Sequence, residues 1–529
     1  MKNTIGILSV MLFIIFMTAC EKDYNQWDVD PSHDRLFKSI IFESSTVKPT
    51  SVEIKFSKSI AATKYIFEFS KDSLLFNEIA SRVELIADTL TPYSNSSDQS
   101  KVEYRQLFGQ LDGTTGYSVR MKSIDEKTGK ESKYSQFYFV TSAEQLFKGY
   151  NSSSSAIILN WTADPRVTNI SLYDEAAVLV QNIVLSEQQK TAGTLSIENL
   201  KGGSSYTAKI FNAASVRGSL PVKTTGIFNS TTYKVLLTDT AASIGTALQG
   251  LAAGGAKDIT VEFGAGLPYT AGGDLTIPTG INNIAFVGAR NSEGLLTRVT
   301  NIRFKVQDKV NNILVQNLAT SSADNFFIDL GAKIVNDILI EGCSISKLNS
   351  IVRVSGASVI GNITVDNCLV SQTGGYGVMN VGTGGTVKSI NVTNSTLTEI
   401  STRFADVRVK TSINFRNITC VNVTASMGHL WNFDNNFPVL VSIQNCIIAG
   451  PNGAAAISST AGAYSSISIS YGGNYKTKDL VNGTRPMTGI TEVPLNIADF
   501  FVNPSIGDYH IKPGIGFAGT GVAGDPRWF

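Results

Sequence analysis

One phrase of alternating apolar and polar residues, ending at Asn or Gly, recurs through the C-terminal half of the chain. It reads NDILIEGCSIS from 336, NITVDNCLVSQTGG from 362, KSINVTNSTLT from 388, TSINFRNITCV from 411 and VLVSIQNCIIA from 439. The residues that end the phrase, traced back two copies, are Gly288, Asn317, Gly342, Asn367, Asn394, Asn417 and Asn445, at intervals of 29, 25, 25, 27, 23 and 28 residues. Periods in the twenties belong to leucine-rich repeats or to a parallel β-helix. The Leu-x-x-Leu-x-Leu frame of the former is missing. A coil also accounts for the Asn residues, because amides stacked at one turn can hydrogen-bond to their neighbours above and below.

Successive side chains of a strand point to opposite faces, so the alternation assigns an inside and an outside. Ile338 and Ile340, Ile363 and Val365, Ile390 and Val392, Ile413 and Phe415, and Val441 and Ile443 are expected to point inward, with Asp366, Thr393 and Arg416 facing water. After a variable loop a second strand per rung is expected in FFIDL, SIVRV, VMNV, ADVRV and HLWNF, placing Ile328/Leu330, Val352/Val354, Met379/Val381, Val407/Val409 and Trp431/Phe433 in the core. Cys343, Cys368 and Cys446 hold the same place in the phrase, so they are expected to stack inside as small apolar side chains. Export would make a disulfide among these three and Cys420 chemically permissible.

A chain of 529 residues is long for one core, and two to four domains are expected. The 46 Gly, with abundant Ser, Thr, Asn and Val, favour strands and turns over helices. A net charge of +1 with 16% charged residues gives no global attraction to nucleic acid. His33, His429 and His510 are the only histidines, and no Cys-x-x-Cys or Cys/His metal spacing occurs, so no metal site is expected.

The N-terminus has Lys2, an apolar run from Ile5 to Phe16, and small residues before Cys20. That run is too short to span a bilayer and reads as an export signal. Met17-Thr18-Ala19-Cys20 resembles the lipobox of bacterial lipoproteins, with Met17 in place of the usual Leu. The resemblance implies lipidation at Cys20 and attachment to a membrane without crossing it. Glu21-Lys22-Asp23 resembles the acidic surface-export tag of Bacteroidota lipoproteins, which implies the outer membrane and the cell surface.

Short alternating runs follow, such as SVEIKF from 51 and KYIFEFS from 64, as a sandwich requires. LDGTTGY ends at Tyr117 and LKGGSSY at Tyr206 with one Leu-x-Gly-x-x-x-Tyr spacing. Both resemble the tyrosine corner of fibronectin type III domains, which implies a Tyr hydroxyl bonded to backbone upstream and core aromatics at Phe56 and Trp161. SIGTALQGLAAGG then offers a helix with Ile244, Leu248 and Leu251 on one face, before the strand DITVEF. That order resembles the N-terminal cap of pectate-lyase-like right-handed β-helices, and the Gly- and Pro-rich end from 507 to Phe529 resembles a terminal cap. The expected organisation is all-β: a signal peptide over 1–19, a lipid-anchored tether over 20–35, fibronectin type III-like sandwiches over 36–143 and 144–228, and a right-handed parallel β-helix over 233–529.

In pectate-lyase-like proteins the carbohydrate groove lies on the strand after the variable loop. On this chain the resemblance implies an outward column of Asp329, Arg353, Asn380, Arg408 and Asn432, with Asp406 and His429 beside it and loops 319–325, 372–376 and 398–404 shaping the groove. Arg and amide side chains suit carboxylated sugars through fork-shaped hydrogen bonds. A ladder of charge pairs on a solvated sheet accounts for the same residues. Asp329 and Asp406 stand three rungs apart, about 14 Å at roughly 4.8 Å per rung, too far to share a calcium ion or to act as a hydrolase pair. Glu341 and Asp366, with Arg416 two rungs on, form the tightest acidic group and the catalytic candidate for a polysaccharide lyase using Ca²⁺. The whole resembles Bacteroidota surface lipoproteins of glycan-uptake systems. It implies capture of an acidic, pectic polysaccharide with no cofactor, a lipid-anchored membrane contact and other glycan-uptake proteins as partners, with a lyase and a structural adhesin as alternatives.

Overall fold

The computed structural model describes residues 34–529 except 95, 292, 322–324, 401–402, 423–430, 434–439, 451–466 and 482–485. The expected signal peptide, Cys20 and His429 lie outside the described residues. The chain divides into two compact units. One comprises the described residues up to Leu146 with 166–169 and 209–219, and the other 147–165, 170–208 and 220–529. Among the described residues no helix is long and apolar enough to cross a membrane.

The first unit holds a sandwich of two antiparallel sheets. Ser51–Ser57 lies between Phe42–Lys48 and Glu103–Phe108, and Lys64–Ser70 and Gly116–Asp125 form the middle of the other sheet. Strict alternation in SVEIKF buries Val52, Ile54 and Phe56 at 0% exposure, where Phe56 meets Tyr65 and Phe67 edge-on at 5.2 Å. The amide N–H of Asp112 donates to the Tyr117 hydroxyl at 2.9 Å, so the first Leu-x-Gly-x-x-x-Tyr motif closes the corner it resembles. In the second sandwich the amide of Lys201 donates to Tyr206 in the same way at 3.2 Å, and Trp161 is buried.

A parallel solenoid of about eight turns runs over residues 231–476. The first sheet stacks the strands of the recurring phrase in parallel register. Ile338, Ile363, Ile390, Ile413 and Val441 form one inward column, and Ile340, Val365, Val392, Phe415 and Ile443 the next. All ten are at most 2% exposed, while Asp366, Thr393 and Arg416 face outward. At the N-terminal end Ala241–Ala253 forms a helix, started by a capping box between Thr240 and Ser243. Ile244 and Leu248 are buried in the coil's core, with Leu251 packed beside them.

Six of the seven turns that end the phrase are left-handed, with φ between 48° and 64° at Asn317, Gly342, Asn367, Asn394, Asn417 and Asn445, and Gly288 is the exception. Gly and Asn are the residues that adopt this conformation at low cost. The amides do not form one uniform ladder. Asn417 Nδ2 donates to Asn394 Oδ1 at 2.9 Å, but Asn394 Nδ2 turns to Asp366 Oδ1 at 2.9 Å. Asn394→Ala is expected to destabilise the coil by about 1–3 kcal/mol through loss of both bonds and of the tolerated φ. Urea denaturation measures it, and a change below about 0.5 kcal/mol would remove this turn from the framework.

Two features depart from expectation. Between the Asn turn and the variable loop lies an additional short strand, separate in Ser344–Ser346, Leu369–Ser371 and Ile447–Ala449 and continuous with the first strand in Thr386–Thr398 and Ser412–Val421. Three residues are too few to show a period, yet Ile345, Val370, Leu397, Cys420 and Ile448 line up through them as a buried column. Cys420 belongs here, one column away from Cys343, Cys368 and Cys446. All four thiols are free and buried, and burial raises the pKa of Cys368, Cys420 and Cys446. The C-terminal segment, expected to cap the coil's end, instead covers the outside of this short sheet. Phe500, Phe501, Tyr509 and Phe517 pack with Val421, Ile447 and Ala449. Beyond them the Thr396 hydroxyl donates to Asp525 Oδ2 and accepts from Trp528 Nε1, both at 2.7 Å.

Candidate functional site

The strands after the variable loop, Phe326–Gly331, Ser350–Ser355, Met379–Val381, Ala405–Val407 and Trp431–Asn432, form the coil's third sheet, and its outward column is Asp329, Arg353, Asn380, Asp406 and Asn432 on five successive rungs. Arg408 is not in it. Met379 pairs with Ala405 and Val381 with Val407, so the expected inward pair Val407/Val409 sits two residues late. A two-residue slip preserves which face each side chain occupies, so alternation alone cannot detect it.

That register changes the chemistry of Asp406. Its side chain is fully buried. It accepts from Arg403 Nη1 at 2.9 Å, from Arg408 Nε and Nη2 at 2.8 and 3.0 Å, and from Asn432 Nδ2 at 3.2 Å. It therefore cannot meet a ligand from solvent, and it fixes Arg408, expected to be a binding residue, against the coil. His429 lies outside the described residues.

Nearer the N-terminal end the same sheet is open. Asp274 holds Arg303 through two bonds of 2.6 and 2.9 Å and Lys305 at 2.7 Å. Arg303 Nη1 also donates to Asn325 at 3.0 Å and lies 3.8 Å from Asp329. Asp329 is 3.9 Å from Arg353, beyond a normal hydrogen bond. Charge pairing thus accounts for Asp274 and Arg303 and only weakly for Arg353. The Arg353 guanidinium sits 5.0 Å above the Phe326 ring, and Tyr376 stands 6.0 Å from Phe326 with 41% of its surface exposed. Tyr376 ends one of the loops expected to shape the groove, whereas Phe326, at the edge of its strand, was not singled out. Arg303 and Lys305 were not singled out from the sequence, although alternation in IRFKV places both outward one rung before Asp329.

On the first sheet Glu341 and Asp366 are direct neighbours in one column, followed by Thr393 and Arg416. Their oxygens already have donors. Gln316 Nε2 reaches Glu341 at 2.8 Å, and Thr393 and Asn394 reach Asp366 at 2.5 and 2.9 Å. Among the described residues no group of three or more His, Cys, Asp and Glu side chains is gathered closely enough to hold a metal ion. His510 is 2.6 Å from Asp508 and edge-on to Trp528, in the covering segment rather than on either sheet.

The two-domain fibronectin type III segment of chicken tenascin is 13% identical over 36% of this chain and 100% of its own, with a TM-score of 0.23. The FN1–FN3 domains of chicken CNTN1 are 16% identical over 35% of this chain and 66% of their own, with a TM-score of 0.14. No curated protein matches the chain. Within the coil, residues 268–400 match the family model described as Domain of unknown function (DUF4957).

Proposed function

We propose that the coil binds an acidic polysaccharide, pectic in kind, along the open part of the third sheet. The observation that carries this is the exposed Arg353 guanidinium seated on Phe326 with Tyr376 beside it. An aromatic face packs against the apolar side of a sugar ring, and a guanidinium fork pairs with its carboxylate. The strand spacing of about 4.8 Å lets one chain run past Arg303, Asp329 and Arg353 on successive rungs. The surface takes in Arg353, Asp329, Asn380 and Asn432, joined by Arg303 and Tyr376. Lipidation at Cys20 would hold it at the bacterial cell surface, next to other glycan-uptake proteins.

The test is affinity for polygalacturonate. Arg353→Gln combined with Tyr376→Ala is expected to weaken binding by at least about tenfold, which corresponds to one charge-assisted hydrogen bond. Added salt should act in the same direction. Absorbance of unsaturated sugar products should stay flat with the unaltered protein. Unchanged affinity in the double variant overturns the proposal, and unsaturated products that vanish with Glu341→Ala would assign a lyase to the first sheet instead.

A further inference from the structure

Within the second unit, the sandwich and the first coil rungs enclose a polar cleft of about 290 Å³. Tyr150 and Lys223 come from the sandwich, and Arg290, Gln316, Glu341 and Asn367 from the coil. The walls are fixed to each other. Asn317 Nδ2 donates to the Ser152 carbonyl at 3.0 Å, the Gly226 amide to Gln316 Oε1 at 2.8 Å, and the Ser154 hydroxyl to Glu262 at 3.0 Å. A preformed hollow close to the low end of ligand-pocket volumes, about 300 Å³, suits a small molecule with several polar groups.

Positive charge in the cleft is under-compensated. Among the described residues the one hydrogen bond of Arg290 goes to the Gly294 carbonyl, at 2.8 Å, and neither Arg290 nor Lys223 has a carboxylate within ion-pair distance. Arg527 adds a guanidinium at the rim, paired with Asp525 at 3.1 Å and anchored on the Asn367 carbonyl and side chain at 3.0 and 2.7 Å, so the cations without a carboxylate partner are Arg290 and Lys223. Burial, and after it Arg527, lowers the pKa of Arg290, as expected of a charge short of a counter-ion. Glu341 is the one acid in the lining, and Gln316 already engages it.

We infer that this cleft binds a carboxylated ligand the size of a single sugar acid, with its carboxylate on Arg290 and Lys223 and its hydroxyls toward Glu341 and Asn367. It lies on other residues than the third-sheet surface and does not depend on it. Calorimetry with the full chain and two probes, free galacturonate and neutral galactose, tests it. Saturable binding of galacturonate at one site is expected, with galactose at least about tenfold weaker. Arg290→Gln should weaken galacturonate by a similar factor while leaving polygalacturonate binding to the third-sheet surface unchanged. Should Arg290→Gln fail to fold by circular dichroism, the exposed Lys223→Gln carries the test and should weaken binding several-fold. Equal affinity for the two sugars, or wild-type affinity in the folded cleft variant, overturns the inference. Loss of galacturonate binding in Arg353→Gln also overturns it, by placing the ligand on the third sheet.

Discussion

Asp406→Asn is expected to destabilise the protein by about 3 kcal/mol, the lower end of the cost of breaking a buried ion pair. The carboxylate accepts four hydrogen bonds from Arg403, Arg408 and Asn432. The amide has nearly the same shape but points N–H donors at guanidinium donors and removes the countercharge. Arg403 cannot escape to water, since its side chain is only 9% exposed, whereas Arg408 at 37% can relax outward, which keeps the cost from the top of the range. Urea midpoints at constant m-value measure it. A loss below about 1 kcal/mol would mean that the cluster is a surface arrangement and that Asp406 remains available to ligands.

Phe415→Ala is expected to cost about 3–5 kcal/mol. The ring fills the coil interior at 2% exposure, between Val392 below and Ile443 above, and meets Phe404 edge-on at 4.6 Å. The hole cannot close readily, because parallel backbone bonds hold the rungs at fixed spacing. A nearly neutral result would mean that the first sheet faces the other way. Phe404 lies in the chain just before the strand that carries Asp406, so the two variants share a neighbourhood and their effects are expected to be non-additive.

Much of the coil was legible because it repeats. A period-2 pattern states which side chains are inside, and stacking tests that statement at every rung, as for Val365, Val392 and Phe415. The left-handed turns were legible through Asn and Gly, which tolerate a positive φ that β-branched residues do not. The tyrosine corners were legible because their bonds span five residues, a distance that local spacing encodes.

What the sequence left open has a common cause. The rung around Ala405–Val407 is offset by the length of a variable loop, and a two-residue slip keeps the same faces, so only the paired strands show that Asp406 rather than Arg408 occupies the column. The Arg353–Phe326–Tyr376 cluster joins residues on adjacent rungs through loop conformations that no periodicity dictates. The covering of the short sheet by Phe500, Phe517 and Trp528 depends on a return of the chain across more than a hundred residues, from Asp525 to Thr396. The cleft needs Tyr150 and Lys223 from one domain and Arg290 from another. Side-chain direction and turn chemistry follow from local steric rules, so the sequence by itself determined the coil, its faces and its turns. Loop offsets and the packing of distant segments depend on which surfaces remain to be covered once those elements have formed, so the tertiary structure alone decided where charge is buried and where it stays open to a ligand.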